Sequence, residues 1–515
     1  MQWQYVEDGM DWKDGYITGI EYVHGVYREL APSVLNMALL LQSLEPIPLQ
    51  EGFTYCDLGC GQGESVNLFA ACHPEGRFHA VDFNAAHIAG ARTLASRTGL
   101  KNATFWEASF SQLESITLPD FDFVVMHGIY SWVGEENRRY IREFLRKKLK
   151  PGGVVYLSYN SLPGWSPHAP LRQLLSSYAD SQPGTLEQRV DRAVAFAERL
   201  KEAGIALFDG GTSTRDFFEY LCTLPRNYIA HEFFNRDWTP YYHADVVREL
   251  APAGLAFAGA ANFVDHQDML RFSQPQQEIL DEVADRVLRE TLKDFTACPM
   301  LRRDIFTKGR PRLTPEEQVE RFRAQRLALV VSAGSLERKA LFPVGEVLFD
   351  RELYDPILAA LDQRPQTLDQ LMQRDELASL RIGRVVEALL VLLSAECLLP
   401  AVEPPLLATI AVKNLNAALL DRELNNLEKL SLASPVLQNA LKLEWLERLL
   451  IACQSTGAGS DPVPWIWDNM KAHNHKLSRD GEILMSEEDN LAELRSQAET
   501  FRNEKLPLLR KLGIV

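Results

Sequence analysis

The sequence predicts an α/β fold built on a doubly wound, mostly parallel sheet, and three observations predict it. An apolar run from Phe53 to Leu58 leads into Gly59-Cys60-Gly61-Gln62-Gly63 and then into an apolar stripe at Val66, Phe69 and Ala70. This order reads as buried strand, tight turn and helix. A second apolar run, Phe78 to Phe83, carries the acid Asp82 near its end. Two further apolar runs, Asp122 to His127 and Val154 to Ser158, flank an amphipathic segment, the alternation of strand and helix that makes a parallel sheet.

Each element has a local reason. Glycines at 59, 61 and 63 lack the Cβ that would keep a ligand away from backbone amides. An acid at the end of the second strand of such a fold accepts hydrogen bonds from both ribose hydroxyls of a nucleoside. Glu64 stands where the dinucleotide fingerprint needs glycine. A carboxylate there would cancel the attraction of the helix N-terminus for a pyrophosphate. No Gly-Lys-Ser/Thr follows the turn, which excludes a phosphate-cradling loop. Asp57, just ahead of the turn, suits a ligand with an ammonium group. Glu135 to Lys148 reads as a helix, acidic at its start and basic at its end as the macrodipole favours, and Lys150-Pro151-Gly152-Gly153 stops it.

Asp57-Leu58-Gly59-Cys60-Gly61-Gln62-Gly63, Asp82 and Lys150-Pro151-Gly152-Gly153 together resemble the class I S-adenosylmethionine-dependent methyltransferases. The resemblance implies a Rossmann-like, seven-stranded sheet and S-adenosyl-L-methionine as cofactor. It places Asp57, Gly59, Gly61 and Gly63 on the methionine portion, Asp82 on the ribose and Phe83 against the adenine. Many relatives carry an Asp after strand three that accepts the adenine amino hydrogens. Here Trp106-Glu107-Ala108-Ser109-Phe110 stands instead, so Ser109 or a backbone carbonyl takes that place, with Phe110 beside it.

The runs His127-Gly128-Ile129-Tyr130-Ser131-Trp132-Val133 and Ser158-Tyr159-Asn160-Ser161-Leu162-Pro163-Gly164-Trp165 are more specific. They resemble bacterial methyltransferases with a methyltransferase regulatory domain, and within that group are similar to rickettsial-type protein lysine methyltransferases. That similarity implies a protein substrate. A lysine must lose its proton before it attacks, and an aromatic pocket lowers its pKa by desolvation. Tyr130, Trp132, Tyr159 and Trp165 are the rings expected to build that pocket, with Asn160 beside them. His127 and Tyr130 are the candidate catalytic residues. His127 acts either as general base or as a cap of its strand end that contacts the methionine carboxylate. Tyr130 and Trp132 either contact substrate or pack in the core. Two other functions stay open: an O-methyltransferase for a sugar, lipid or small metabolite with His127 as base, and a non-catalytic scaffold that binds the cofactor.

Composition narrows the partners. A net charge of −16 over 515 residues attracts neither nucleic acid nor an anionic membrane. The N-terminus has no basic region with an apolar core, and the run Ala388 to Ala395 is too short to span a bilayer. Seven scattered cysteines suit a reducing cytoplasm. Neither Cys56 with Cys60 nor His473 with His475 has partners that complete a ligand set, so no metal is expected.

Breaks at Ser181 to Thr185, near Ser332 to Gly334 and at Pro404-Pro405 divide the chain into four. Residues 1–180 form the methyltransferase domain, 181–332 a helical regulatory region, 333–404 a winged-helix-like module and 405–515 a helical C-terminal region. Glu278 to Leu292 and Pro315 to Val331 read as helices of the second region. Between Glu346 and Glu396 ten acids face five arginines, so the third module is expected to pack against protein rather than read DNA. The aromatic stretch Asp11 to Tyr27 lies over the cofactor or anchors an N-terminal extension.

Overall fold

The computed structural model describes residues 12–13, 16–17, 25–209, 212–423, 430–455, 461–473, 475–479 and 482–515. Its largest sheet has seven strands: β1 (Thr54–Leu58), β2 (Arg77–Asp82), β3 (Ala103–Glu107), β4 (Phe121–Met126), β5 (Leu149–Asn160), β6 (Ala256–Ala260) and β7 (Leu301–Thr307). They lie in the order β3-β2-β1-β4-β5-β7-β6. The first five are parallel, and β7 runs antiparallel to both β5 and β6.

Alternate residues of these strands enter two cores, as a sheet buried on both faces requires. Phe123 and Val125 of β4 join Tyr55, Phe78 and Tyr156 on one face, with α1 (Pro32–Leu41), α2 (Glu64–Cys72) and α3 (Ala85–Thr98). Val124 and Met126 point the other way, towards Ile141, Phe144 and Leu145 of α4 (Glu135–Lys148).

Two expectations need correction here. The sheet is not complete by residue 180, because β6 and β7 come from inside the region expected to be helical. Their composition hides them: β6 is Ala-Phe-Ala-Gly-Ala, and β7 carries Arg302, Arg303 and Asp304. Pairing with β5 and a buried charge network, rather than strand propensity, hold them extended. Likewise the helix expected over Pro315 to Val331 ends at Ala324, and Arg326–Leu329 is a strand.

Between β5 and β6 lie α5 (Ala169–Asp180), α6 (Leu186–Glu202), α7 (Thr212–Cys222), α8 (Arg226–Phe233) and α9 (His243–Leu250). The first four surround a third core that includes Trp165, Leu175, Val194, Phe218 and Phe233. This helical cluster covers the ends of β4 and β5.

Downstream, Gln366–Thr367, Arg326–Leu329 and Leu398–Ala401 form a three-stranded sheet beside helices Arg351–Gln363, Leu368–Met372 and Ile382–Ser394. The module expected over 333–404 holds these three helices, but its central strand precedes the first helix and comes from residues 326–329, ahead of the expected boundary. The C-terminal region adds helix Leu406–Glu423 and a hairpin of Leu430–Ser434 with Asn439–Leu443, a sheet element not expected there. Residues 456–460, and Asn474 between His473 and His475, lie outside the described residues. Among the described residues no helix is long and apolar enough to cross a membrane.

The C-terminal hairpin packs against the catalytic half. Ser33 Oγ donates to Leu437 O at 3.3 Å, and Asn439 Nδ2 donates to Arg28 O at 3.0 Å. Asn416 ties this region together: its Nδ2 donates to Ala433 O at 2.9 Å and Ile514 O at 3.0 Å, and its Oδ1 accepts from Ala433 N at 2.8 Å. All three bonds are buried. Asn416→Ala strands backbone groups without partners and should cost about 2–3 kcal/mol. A fall of that size in the urea unfolding free energy is expected; an unchanged midpoint would refute the assignment.

Candidate active site

The turn from β1 into α2 takes φ values of +81° at Gly59, +53° at Gly61 and +67° at Gly63. A Cβ on Gly63 would lie 2.6 Å from Ala91 Cβ, so this glycine lets α2 pass close to α3. A Cβ on Gly61 would meet nothing within 4 Å and would stand in the open space the turn lines. Gly61 N donates to Asp82 Oδ2 at 2.9 Å, and Asn84 N donates to Asp82 Oδ1 at 2.8 Å. Both carboxylate oxygens are thereby oriented and keep lone pairs for further donors.

The turn, Asp82 and the loops after β3 and β4 enclose a cavity of about 1130 Å³, counting its open mouth. Gly59, Gly61, Gly63, Asp82, Phe83, Ser109, Phe110, His127 and Trp132 all line it. Among the described residues Glu64 and Asp82 are its carboxylates, and no lysine or arginine lines it. That charge pattern rejects phosphates and accepts a cationic nucleoside. Asp57 lies beneath the turn, buried and without a hydrogen bond among the described residues. Burial, and then Asp82, push its carboxyl up to about 8. An ammonium at the turn would relieve this, so the donor set fits S-adenosylmethionine. Ser109 Oγ is 2.8 Å from Ser111 Oγ and 3.2 Å from Gln112 Oε1, which leaves a lone pair for an adenine amino group.

Comparison with known proteins agrees. Residues 49–198 match the model of a methyltransferase domain, and residues 225–308 match that of a predicted methyltransferase regulatory domain. An uncharacterized protein of Synechocystis is 36% identical over 507 residues, 98% of this chain and 100% of that one. The chain belongs to the methyltransferases that carry a methyltransferase regulatory domain. Two structures of PKMT2 from Rickettsia typhi, the second in complex with AdoHcy, share its fold with TM-scores of 0.68 and 0.70. They cover 95% and 96% of this chain and 99% of their own, at 18% identity. The protein is thus an S-adenosylmethionine-dependent methyltransferase, and its cofactor supplies an electrophilic methyl group on a sulfonium.

A second cavity, of about 1220 Å³, adjoins the first. Tyr27, His127, Gly128, Trp132 and His231 line both. Beyond this shared wall it is bounded by Asn160 at the end of β5, Trp165, and residues of α7 and α8 such as Phe217, Tyr220, Tyr228 and Glu232. Sequence alone did not assign Phe217, Tyr220, Tyr228, His231 or Glu232 to the site. The aromatic density of Tyr228 to Trp238 was its available signal. Tyr27 answers in part for the N-terminal aromatic stretch; residues 11, 14–15 and 18–24 of that stretch lie outside the described residues.

Tyr130 and Tyr159 correct the expected pocket, since neither lines either cavity. Tyr130 is fully buried, and its hydroxyl donates to Glu249 Oε2 at 2.6 Å. Tyr159 OH donates to Asp304 Oδ2 at 2.7 Å, which also lies 3.0 Å from His243 Nδ1 and from Arg302 Nε through its other oxygen. Burial alone would raise the Asp304 carboxyl, yet Arg302 holds it below the usual range. Side chains alternate along a strand and turn, so one residue of an aromatic run faces the cavity and its neighbour faces the core.

His127 stands where expected, but as a weak base. Tyr27 stacks on its ring at 3.9 Å between centroids, and its Nδ1 shares a hydrogen bond with Tyr156 OH at 2.9 Å. Burial lowers its pKa to about 4, against Glu29, which raises it, and with Arg303, which lowers it. The imidazole is therefore neutral at pH 7, and Glu29 at 3.9 Å is a polar neighbour rather than an ion-pair partner.

Asp82→Ala should weaken cofactor binding by about 1–3 kcal/mol through loss of a charge-assisted bond. Calorimetry with S-adenosylhomocysteine measures this, and equal affinity would remove Asp82 from the ribose. Tyr130→Phe should leave that affinity unchanged while costing about 1 kcal/mol of stability in denaturant. A slowed methyl transfer at full stability would return Tyr130 to the chemistry.

Proposed function

We propose that the enzyme N-methylates lysine side chains of a protein. The observation that carries this reading is the second cavity: a ring-lined chamber with one carboxylate, Glu232, sharing a wall with the cofactor cavity. Aromatic faces favour a methylated ammonium, and desolvation among them favours the neutral amine that must attack. A lysine has a four-carbon stem that reaches such a chamber while its backbone stays outside. The net charge of −16 attracts a basic acceptor.

The O-methyl alternative needs a base strong enough to activate a hydroxyl. With its pKa near 4, His127 is poorly suited to that role. The resemblance of His127 to Val133 and Ser158 to Trp165 to rickettsial-type protein lysine methyltransferases supports the amine reading.

The test incubates the protein with methyl-labelled S-adenosylmethionine and a lysate of the source cells, with Asp82→Ala protein in parallel. Base-resistant label in protein, recovered as methyl-lysine after acid hydrolysis, is the expected result. Label confined to sugars, lipids or metabolites would replace the reading with O-methylation. Label equal in both proteins would leave a cofactor-binding scaffold.

A further inference from the structure

Helix α8 places Tyr228, His231 and Glu232 in the second cavity, at positions i, i+3 and i+4 of one helix face. Opposite them, Asn160 is buried with its Nδ2 unpaired among the described residues. Glu232 makes no ion pair or hydrogen bond among the described residues. The arginines nearby are otherwise engaged. Arg303 is paired with Glu29 at 3.0 Å, and Arg172 donates to Asn235 O at 2.7 Å while lying over the Trp238 ring at 4.4 Å. The cavity therefore presents a carboxylate among rings, and the guanidinium that lines it, Arg303, is paired with Glu29 rather than with Glu232.

We infer that Glu232 receives the ammonium of the acceptor and takes its proton before methyl transfer. This rests on the amine reading above. The step balances: the acceptor ammonium passes one proton to the Glu232 carboxylate, leaving a neutral amine and a neutral carboxylic acid. The amine lone pair then forms the N–C bond as the C–S bond breaks, sulfur keeps that electron pair, and the positive charge moves to the methylated nitrogen. Glu232 afterwards releases its proton to water through the cavity mouth.

The ionisation of Glu232 suits this role. Burial pushes its carboxyl up to about 7, with Arg172 pulling the other way. Of the other groups facing it, His127 is neutral at that pH, and burial raises the Tyr228 phenol far above it. His231 is the adjacent residue on the same helix face. Neutralising an amine in a poorly solvated chamber needs an acceptor that is itself stable when neutral, and a carboxyl raised towards neutrality is such a group.

The experiment titrates the full chain with n-butyltrimethylammonium, a fixed cation that cannot lose a proton, and follows tryptophan fluorescence from Trp132 and Trp165. Affinity should rise about tenfold from pH 6 to pH 8 as Glu232 ionises. Glu232→Gln should lose that rise and bind at least about tenfold more weakly at pH 8. n-Butanol should bind both proteins alike, and S-adenosylhomocysteine affinity should stay intact as a check on folding. If Glu232→Gln does not fold, Glu232→Asp should keep the pH dependence at reduced affinity.

A flat pH profile in the unmodified protein, or equal cation affinity in Glu232→Gln, would overturn the inference. Methyl-lysine in labelled protein together with a flat, Gln-insensitive profile would sink only the role of Glu232. Hydroxyl-bound label with cation affinity intact would sink the amine reading instead.

Discussion

Asp82 accepts from the backbone amides of Gly61 and Asn84: the second bond orients its carboxylate, and the first locks the end of β2 onto the turn that leaves β1. Everything around the cofactor follows from that lock. The glycine turn can hold its three positive φ values because Asp82 satisfies one of its amides. Strand order reverses between β1 and β4, so the chain leaves the two strands in opposite directions and opens a crevice at their C-terminal ends. The carboxylates gathered there have a cost, visible in the raised Asp57 carboxyl, and a cationic cofactor is what offsets it.

The wall between the two cavities explains how one sheet edge borders both of them. His127 leaves the end of β4, Tyr27 stacks on it, and Glu29 pairs with Arg303 of β7 behind it. The segment carrying Tyr27 and Glu29 is itself held from a distance, since Asn439 of the C-terminal hairpin donates to Arg28 O. The C-terminal region thus packs on the catalytic half and braces the wall, and none of its described residues lines either cavity. The regulatory region does the complementary work. It supplies the last two strands of the sheet, and with α7 and α8 it bounds the second cavity.

Local signals made the first half of the fold legible. β1, α2, β2, α4 and β5 each announce themselves through an apolar run, a glycine turn, or charges matched to a helix dipole. The residues of the first cavity were legible for the same reason: Gly59, Gly61, Gly63 and Asp82 shape it through backbone geometry and one carboxylate at a set spacing. β6 and β7 were not legible, because small and charged residues there are strands only by virtue of what they pair with. Tyr130 and Tyr159 were misread because an aromatic residue beside a site does not reveal which way it points.

What the sequence determined by itself was the class of fold and the kind of cofactor. Both depend on interactions within a few residues of each other, or on the charge of a single turn. Tertiary structure decided the second cavity. Glu232 and Tyr228 sit about 170 residues beyond the glycine turn, and Arg303 further still. Only the folding of the helical cluster over the ends of β4 and β5 brings them opposite His127 and Trp132. Burial there also set the ionisation of His127 and Glu232, since desolvation depends on the whole surrounding shell and not on any neighbour in the chain.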